Sequence, residues 1–230
     1  MNISDLSSNK LLLTGSNEEQ INFLAFSNTD LFISKSQVRE YDFNGNAIES
    51  TEDKIRIKSI WVLNSKSNLK HNIIQYGNFD INDTYVTENY FYYVKIVDED
   101  NDGLLLDNDY VSGEMWRFNK ETFGQEFCFK IKPYNFHRFL SANDSYVIFV
   151  SEDRIPDVTE IIFYNIITKR FSVLNNIYEN DWYDFRVVNN HNGEPEYFIY
   201  KKEIDEQSEN AITNVEMIYW SDLITQLEWK

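Results

Sequence analysis

The chain has 230 residues, with 38 acidic and 21 basic side chains and a formal net charge of −17. Apolar residues make up 42% and aromatic residues 16%, which excludes a disordered acidic tail, because such tails lack aromatic side chains. The length suffices for one large domain or two small ones with a buried core. The charge argues against a general nucleic-acid binder, since phosphate backbones require a surplus of lysine and arginine.

The sequence carries no signal for export or for membrane insertion. Met1–Asp5 hold no basic group ahead of an apolar stretch, and the apolar run Leu11–Leu13 is short, so we expect no secretory signal. No run of about 18 apolar residues is present, so we expect no membrane-spanning helix. Cys128 is the single cysteine, which excludes an intrachain disulfide. These features predict a cytoplasmic protein with no membrane partner.

Short segments of β-branched and aromatic residues follow one another along the chain, each bounded by Asn, Asp, Ser or Gly. Short helical turns are predicted only near Asn17–Ile21 and Asp222–Leu227. The pattern predicts an all-β protein built as a sandwich, barrel or propeller. In chain order the predicted strands are Asn22–Phe26, Asp30–Ser34, Val38–Phe43, Ile55–Leu63, Asn72–Tyr76, Tyr90–Val97, Glu114–Phe118, Glu126–Ile131, Tyr146–Val150, Glu160–Tyr164, Phe171–Leu174, Phe185–Val188, Glu196–Tyr200, Val215–Trp220 and Gln226–Trp229.

A weak repeat occurs within these strands. An apolar residue is followed three positions later by an aromatic residue, then by a small polar residue and a turn. In two copies the turn ends in threonine, at Thr122 and Thr168. Such a segment predicts a hairpin in which an aromatic strand turns into an edge strand. The four copies are Val38–Asp42, Met115–Asn119, Ile161–Asn165 and Met217–Ser221.

This repeat resembles the hairpin between the third and fourth strands of β-propeller blades of the WD40 and PD40 type. The resemblance covers about residues 20–230 and implies antiparallel four-stranded units in a small or partial β-propeller-like arrangement. The units would span about 20–50, 55–131, 137–175 and 182–230 of a single all-β domain, 1–230. A β-sandwich is the alternative, because an antiparallel meander has similar hairpins.

The acidic segment Asp98–Asp109 has the ligand spacing of a calcium loop. Carboxylates stand at its first, third, fifth and twelfth positions, glycine at the sixth, and a backbone carbonyl is supplied at the seventh. The predicted ligands are Asp98, Asp100, Asp102, Leu104 and Asp109. The last position resembles dockerin-type loops, which carry Asp there rather than Glu. Since strands are predicted on both sides, the loop would be inserted in a β-hairpin; the alternative is a solvated acidic loop without a metal.

Known catalytic patterns are not found in the sequence. His71, His137 and His191 lack zinc-ligand spacing, and Cys128 lies between two phenylalanines of a predicted strand. No Gly-x-Ser-x-Gly elbow and no phosphate-binding glycine loop occurs. The five tryptophans are expected in core or inter-strand packing rather than in a sugar platform. We therefore predict a protein that is not an enzyme and requires no cofactor.

Two functions follow as hypotheses. The first is an acidic protein-binding β-domain, in its sharpest form a bacterial immunity protein that neutralises a basic toxin such as a nuclease. Its partner is a basic protein, with no direct contact to nucleic acid. The alternative is a secreted or periplasmic propeller-like protein that binds Ca²⁺ in the acidic segment and is carbohydrate-active. The predicted partner-binding residues are Asp98, Glu99, Asp100, Asp102, Asp107, Glu203, Asp205, Glu206 and Glu209.

Overall fold

The predicted all-β fold class with antiparallel pairing is confirmed. A computed structural model describes residues 19–27, 29–38, 56–64, 67, 69–98, 105, 113–132, 136–154, 157–177, 186–191, 194–203 and 213–230. Within these ranges the chain forms fourteen strands and one short helix. The strands lie in sheets of seven, four and three strands, and all the strand pairs described are antiparallel.

The first seven strands are hydrogen-bonded in their order along the chain, as a meander. Asn64 ends the third strand, and its side-chain amide donates to Thr29 and Asp30 at the turn between the first two. The seven strands are β1 (Glu19–Ser27), β2 (Asp30–Val38), β3 (Arg56–Asn64), β4 (Lys70–Val86), β5 (Tyr90–Val97), β6 (Glu114–Asn119) and β7 (Gln125–Lys130).

Two smaller sheets follow, and they are meanders as well. The four-stranded sheet has the order β11-β10-β9-β8, and the three-stranded sheet has the order β12-β13-β14. The helix α1 (Trp220–Gln226) follows the last strand directly. The strands are β8 (Phe136–Ala142), β9 (Tyr146–Arg154), β10 (Asp157–Asn165), β11 (Arg170–Ile177), β12 (Arg186–Asn189), β13 (Pro195–Glu203) and β14 (Thr213–Tyr219).

Most predicted strands coincide with observed ones, and Tyr90–Val97 matches β5 at both ends. The predicted strand Gln226–Trp229 is wrong, because α1 runs to Gln226 and the residues after it form no strand. The helical turn near Asn17–Ile21 is also wrong where it is described, since β1 already begins at Glu19. The turn near Asp222–Leu227 is confirmed as part of α1. The predicted strand Val38–Phe43 lies outside the described residues beyond Val38.

Two copies of the repeat form the predicted hairpins by the same hydrogen bonds. The Asn119 side-chain oxygen accepts from the backbone N–H groups of Glu121 and Thr122, at 2.9 and 2.8 Å. The Asn165 oxygen accepts in the same way from residues 167 and 168, at 3.0 and 2.9 Å. Each turn closes on a residue in the left-handed region, Phe123 at φ 57° and Lys169 at φ 56°. Asparagine therefore fixes both turns locally.

The other two copies of the repeat end differently. The copy Val38–Asp42 lies outside the described residues after Val38. The hairpin predicted from Met217–Ser221 is wrong, because Trp220 begins α1 where a turn and a further strand were expected. The backbone of Lys230 instead pairs with that of Phe171 in β11, with N–O distances of 2.8 and 3.1 Å. The segment after α1 thus lies along the four-stranded sheet.

The chain divides into two compact units, Met1–Asp80 with Asn101–Leu105 and Ile81–Asp100 with Leu106–Lys230. In the first unit, Phe32 and Ile60 on β2 and β3 are fully buried, and Lys58 forms an ion pair with Asp80. The division into four units predicted from the sequence stays a prediction.

The core of the second unit is shared by its two smaller sheets and α1. Ile148, Ile161 and Phe163 come from β9 and β10, Phe198 comes from β13, and Leu223 comes from α1. Val187 and Ile218 pack against this cluster from the strands on either side of Phe198. One face of the three-stranded sheet is therefore buried against the four-stranded sheet and the helix.

Shortening a side chain on the buried face of the three-stranded sheet is expected to cost far more stability than shortening one on its exposed face. Phe198→Ala removes a fully buried ring from the shared core and is expected to lower the free energy of unfolding by about 3–5 kcal/mol. Met217→Ala, on the exposed face of the adjacent strand, is the matched control and is expected to change it by less than about 0.5 kcal/mol. Urea unfolding measures both, and equal losses would contradict the assignment of the faces.

Candidate functional site

Only Asp98 and Leu105 of the predicted calcium loop are described. Asp98 follows β5 directly and is half-buried. The other predicted ligands, Asp100, Asp102, Leu104 and Asp109, lie outside the described residues, as do Glu99 and Asp107. Within the described part of the chain, no group of three or more His, Cys, Asp or Glu side chains is arranged to hold a metal. The calcium site stays a prediction.

The second group of predicted partner-binding acids lies between β13 and β14. Glu203 is the last residue of β13 and pairs in register with Thr213, the first residue of β14. Asp205, Glu206 and Glu209 belong to the connection 204–212, which lies outside the described residues. The acidic connection is nonetheless attached at one end of the three-stranded sheet, because both of its neighbours are paired there.

The structure describes all four side chains that were considered for catalysis, Cys128, His71, His137 and His191. Cys128 in β7 is buried, and burial raises the pKa of its thiol to about 12, so that the thiol is neutral at ordinary pH. His71 is half-buried in β4, while His137 in β8 and His191 after β12 are exposed. Among the described helices, none is long and apolar enough to cross a membrane.

Buried tyrosines connect β5 and β10 to neighbouring backbone in the second unit. Tyr92 donates its hydroxyl to the carbonyl of Asn143 at 2.7 Å, and Tyr164 donates to the carbonyl of Cys128 at 2.9 Å. Tyr93 donates to the side chain of Gln125 at 2.9 Å. Burial raises the pKa of all three phenols, that of Tyr164 to about 12. Each hydroxyl already donates a hydrogen bond, which identifies these groups as structural anchors.

Arg117 in β6 forms a second polar anchor in this region. Its guanidinium lies 4.4 Å from the ring centroid of Tyr90 and donates to Glu126 through Nε at 2.8 Å. It also donates to the backbone carbonyl of Asp144 at 3.3 Å. Arg117 thus links the β6–β7 hairpin to the turn between β8 and β9 through the hydrogen bonds that its guanidinium donates.

One exposed apolar surface of the described residues is the second face of the three-stranded sheet. Along β14, the exposed fractions of Val215, Met217 and Tyr219 are 65%, 59% and 56%. These residues alternate with Ile218, which points to the core. In register beside Met217 and Tyr219 lie Ile199 and Tyr197 of β13, whereas Val215 is paired with Lys201. Val188 of β12 is paired with Tyr197. We call this set the outer apolar face: Val188, Tyr197, Ile199, Val215, Met217 and Tyr219.

The outer apolar face is ordered by contacts of its own. The rings of Tyr197 and Tyr219, directly opposite each other, have centroids 4.9 Å apart at an angle of 44°. A hydrogen bond between their side chains raises the pKa of Tyr197. Tyrosines paired in this way present aromatic surface together with polar hydroxyl groups, as binding surfaces between proteins commonly do.

Sequence reasoning missed this face because it concentrated on the acidic segments. A signal was present: Val215, Met217, Ile218 and Tyr219 place apolar residues on both faces of a single strand. A strand at the edge of an antiparallel sheet needs only one apolar face for the core. The second apolar face makes β14 a candidate for an interaction site, since contiguous exposed apolar surface in a protein commonly marks one.

Comparisons with known proteins identify no family for this chain. No family model matches it, and no curated protein matches it. Among solved structures, it is similar to the β-propeller domain of the Trilobed protease from Pyrococcus furiosus, with 8% sequence identity and a TM-score of 0.45. That match covers 94% of this chain and 72% of the other. A likeness at this level indicates nothing about activity.

If the predicted calcium loop Asp98–Asp109 binds the ion, the melting temperature should depend on Ca²⁺. If the loop binds the ion in the folded state, millimolar Ca²⁺ raises the melting temperature and a chelator lowers it. Asp100→Asn with Asp102→Asn is expected to abolish the increase. Glu194→Gln, an exposed carboxylate outside the loop, is the control and should retain it. A melting temperature that responds to neither Ca²⁺ nor chelator would rule out the site.

The buried tyrosines predict a loss of stability in alkali. The folded-state pKa of Tyr164, about 12, lies above the ordinary value of 10.0. Its stabilising contribution is therefore complete below pH 10 and is lost as the pH rises towards 12. Urea midpoints measured across this range should fall for the wild type and fall less for Tyr164→Phe, which has no phenol to ionise. Identical profiles for the two proteins would contradict this assignment.

Proposed function

We propose that this protein is a non-enzymatic binding protein whose partner is a basic protein. The outer apolar face is the observation that carries the proposal. It is a contiguous set of apolar side chains on a sheet whose other face already supplies the core. Aromatic and methionine side chains are enriched at the centres of protein interfaces, and this face has two tyrosines and a methionine.

The charge of the chain supports a basic partner. A formal net charge of −17 attracts cationic proteins over several ångströms and accelerates their encounter at low salt. Residues 178–230, which include the three-stranded sheet, contain twelve acidic and four basic side chains. The acidic segment between β13 and β14, with Asp205, Glu206 and Glu209, is the proposed steering element beside the apolar face.

The sharpest form of the proposal is a bacterial immunity protein that neutralises a basic toxin such as a nuclease. An inhibitor of this kind needs fast association, supplied by charge, and slow dissociation, supplied by apolar contact. The chain combines the two properties, and we propose that it acts in the cytoplasm.

The proposed function predicts salt-sensitive capture followed by inhibition. Immobilised wild-type chain, incubated at low salt with lysate of its source cells, is expected to retain a basic protein that is released as salt rises. The purified basic protein should have an enzymatic activity, with nuclease activity assayed first, that an equimolar amount of this chain abolishes. Capture of nothing basic, or of a basic protein whose activity the chain leaves unchanged, would overturn the inhibitor proposal.

A matched variant separates charge from apolar contact. Replacing Asp205, Glu206 and Glu209 by their amides is expected to slow association with the captured protein by about tenfold at low salt, with little change in dissociation. Asp222→Asn with Glu228→Gln and Glu194→Gln, three exposed acids outside this segment, is the charge-removal control and should have a smaller effect. Equal effects of the two variants would contradict a steering role for the acidic segment.

A further inference from the structure

We infer that the partner binds by strand addition: an extended segment of the partner pairs with the side of β14 that faces away from β13 and continues the three-stranded sheet. This inference rests on the proposed function and specifies how its partner is recognised. β14 is the last strand in the order β12-β13-β14, and no described strand lies on its other side. Alternate backbone N–H and C=O groups of an edge strand point outward, ready to pair with a new strand.

Three other strands at sheet edges have features that disfavour pairing with another chain. The register of β1 is interrupted by a bulge between Phe23 and Ala25. The outer strand β12 has only four residues, with a register shift before Asn189. The edge strand β7 carries exposed charge at Glu126 and Lys130. Bulges, short length and charge are the usual means of protecting a strand edge.

The two edges of the four-stranded sheet are covered by other parts of the chain. In β8 the backbone N–H of Phe139 donates to the Asp83 carboxylate at 2.8 Å, and the carbonyl of Phe136 accepts from Asn82 at 3.4 Å. At the opposite edge, Phe171 in β11 pairs with the backbone of Lys230. Both edges are thus occupied by polar partners within the same unit.

β14 differs from all of these strands. Its seven residues pair with β13 in unbroken register, from Thr213↔Glu203 to Tyr219↔Tyr197. The strand contains no lysine, no proline and no bulge, and its only charged residue, Glu216, alternates with the exposed apolar ones. A regular, unprotected edge with Val215, Met217 and Tyr219 beside it is the geometry that an added strand requires.

The chemistry of the incoming segment follows from its surroundings. On the outer side its alternate residues would lie next to Val215, Met217 and Tyr219, so they must be apolar. Basic flanking residues complement the connection 204–212, which is attached at Thr213 and carries acids and no base. Lys201 and Lys202 of β13 are paired with Val215 and Asn214 at the same end of the sheet. The same charge disfavours a second copy of this chain, since pairing β14 with itself would bring together two chains of net charge −17.

A defined peptide, used in place of the partner, tests this recognition directly. The probe is an octapeptide in which valine alternates with threonine and a lysine stands at each end; one control has a central proline, and the other has glutamate in place of lysine. We expect the probe peptide alone to bind, with slowed hydrogen exchange at those amides of Thr213–Tyr219 that do not bond to β13. Docking on the apolar face without strand pairing would leave these amides exchanging, and that result would overturn the inference.

Variants locate the peptide on β14. Val215→Lys and Met217→Lys, both at exposed positions that the fold does not require, are each expected to weaken peptide binding about tenfold. Ile167→Lys is the matched control, since Ile167 is exposed in the β10–β11 turn of the same unit, and it should bind as the wild type does. Equal weakening by all three variants would indicate a charge effect and overturn the assignment to β14.

Two further results would overturn strand addition by a partner. Protection of the same β14 amides in the free monomer would mean that a segment of this chain already occupies the edge. Protection that appears only with concentration-dependent dimerisation would assign the edge to a second copy. Either result leaves the proposed function standing if a basic protein is still captured and inhibited. If the captured protein binds while β14 remains unprotected, the function holds and the strand mechanism fails.

Discussion

The alternation of side chains along a β-strand is the constraint on which the second unit depends. Because Ile218 and Phe198 must point towards α1 and the four-stranded sheet, their neighbours must point away from it. The sequence places apolar side chains at those outward positions too. The residues that build the core and the residues that form the outer apolar face are therefore fixed by a single register, and a shift of one residue would exchange them.

The combination of a strongly acidic chain with an apolar face has a physical rationale. Net charge keeps copies of the protein apart, while an apolar face with an edge strand would otherwise promote association between copies. A basic partner is attracted by the same charge that repels a second copy. In the proposed function, charge would select the partner, and apolar contact together with backbone hydrogen bonds would retain it. The negative charge thus limits the self-association that the exposed apolar face would otherwise favour.

The parts of the fold that depend on local chemistry could be predicted from the sequence, and the parts that depend on distant contacts could not. The Asn119 and Asn165 turns were predictable because each asparagine bonds backbone only two and three residues away. The strand β8 was missed because its edge is completed by Asp83 and Asn82, more than fifty residues earlier. Gln226 was assigned to a strand although it ends α1, because a seven-residue helix is too short to show a clear period.

The candidate site was only partly predictable for a related reason. Acidic residues are conspicuous in a sequence, and they directed attention to Asp98–Asp109 and to the segment after Glu203. The outer apolar face depends instead on which of two apolar faces becomes buried. Val215 and Ile218 are chemically similar, and only the packing of Ile218 against the shared core leaves Val215 exposed. Sequence pattern identifies a strand with two apolar faces, but the tertiary fold decides which of them a partner can reach.

The position of α1 along the chain also has a consequence for biosynthesis. Leu223 and Leu227 complete a core that includes Ile148 and Ile161, so this core cannot close until residues well after 200 have left the ribosome. During that interval Phe163 and Phe198 remain exposed to water in the nascent chain. Removal of the segment that holds Leu223 and Leu227 would therefore leave this core open to water on the side that they cover.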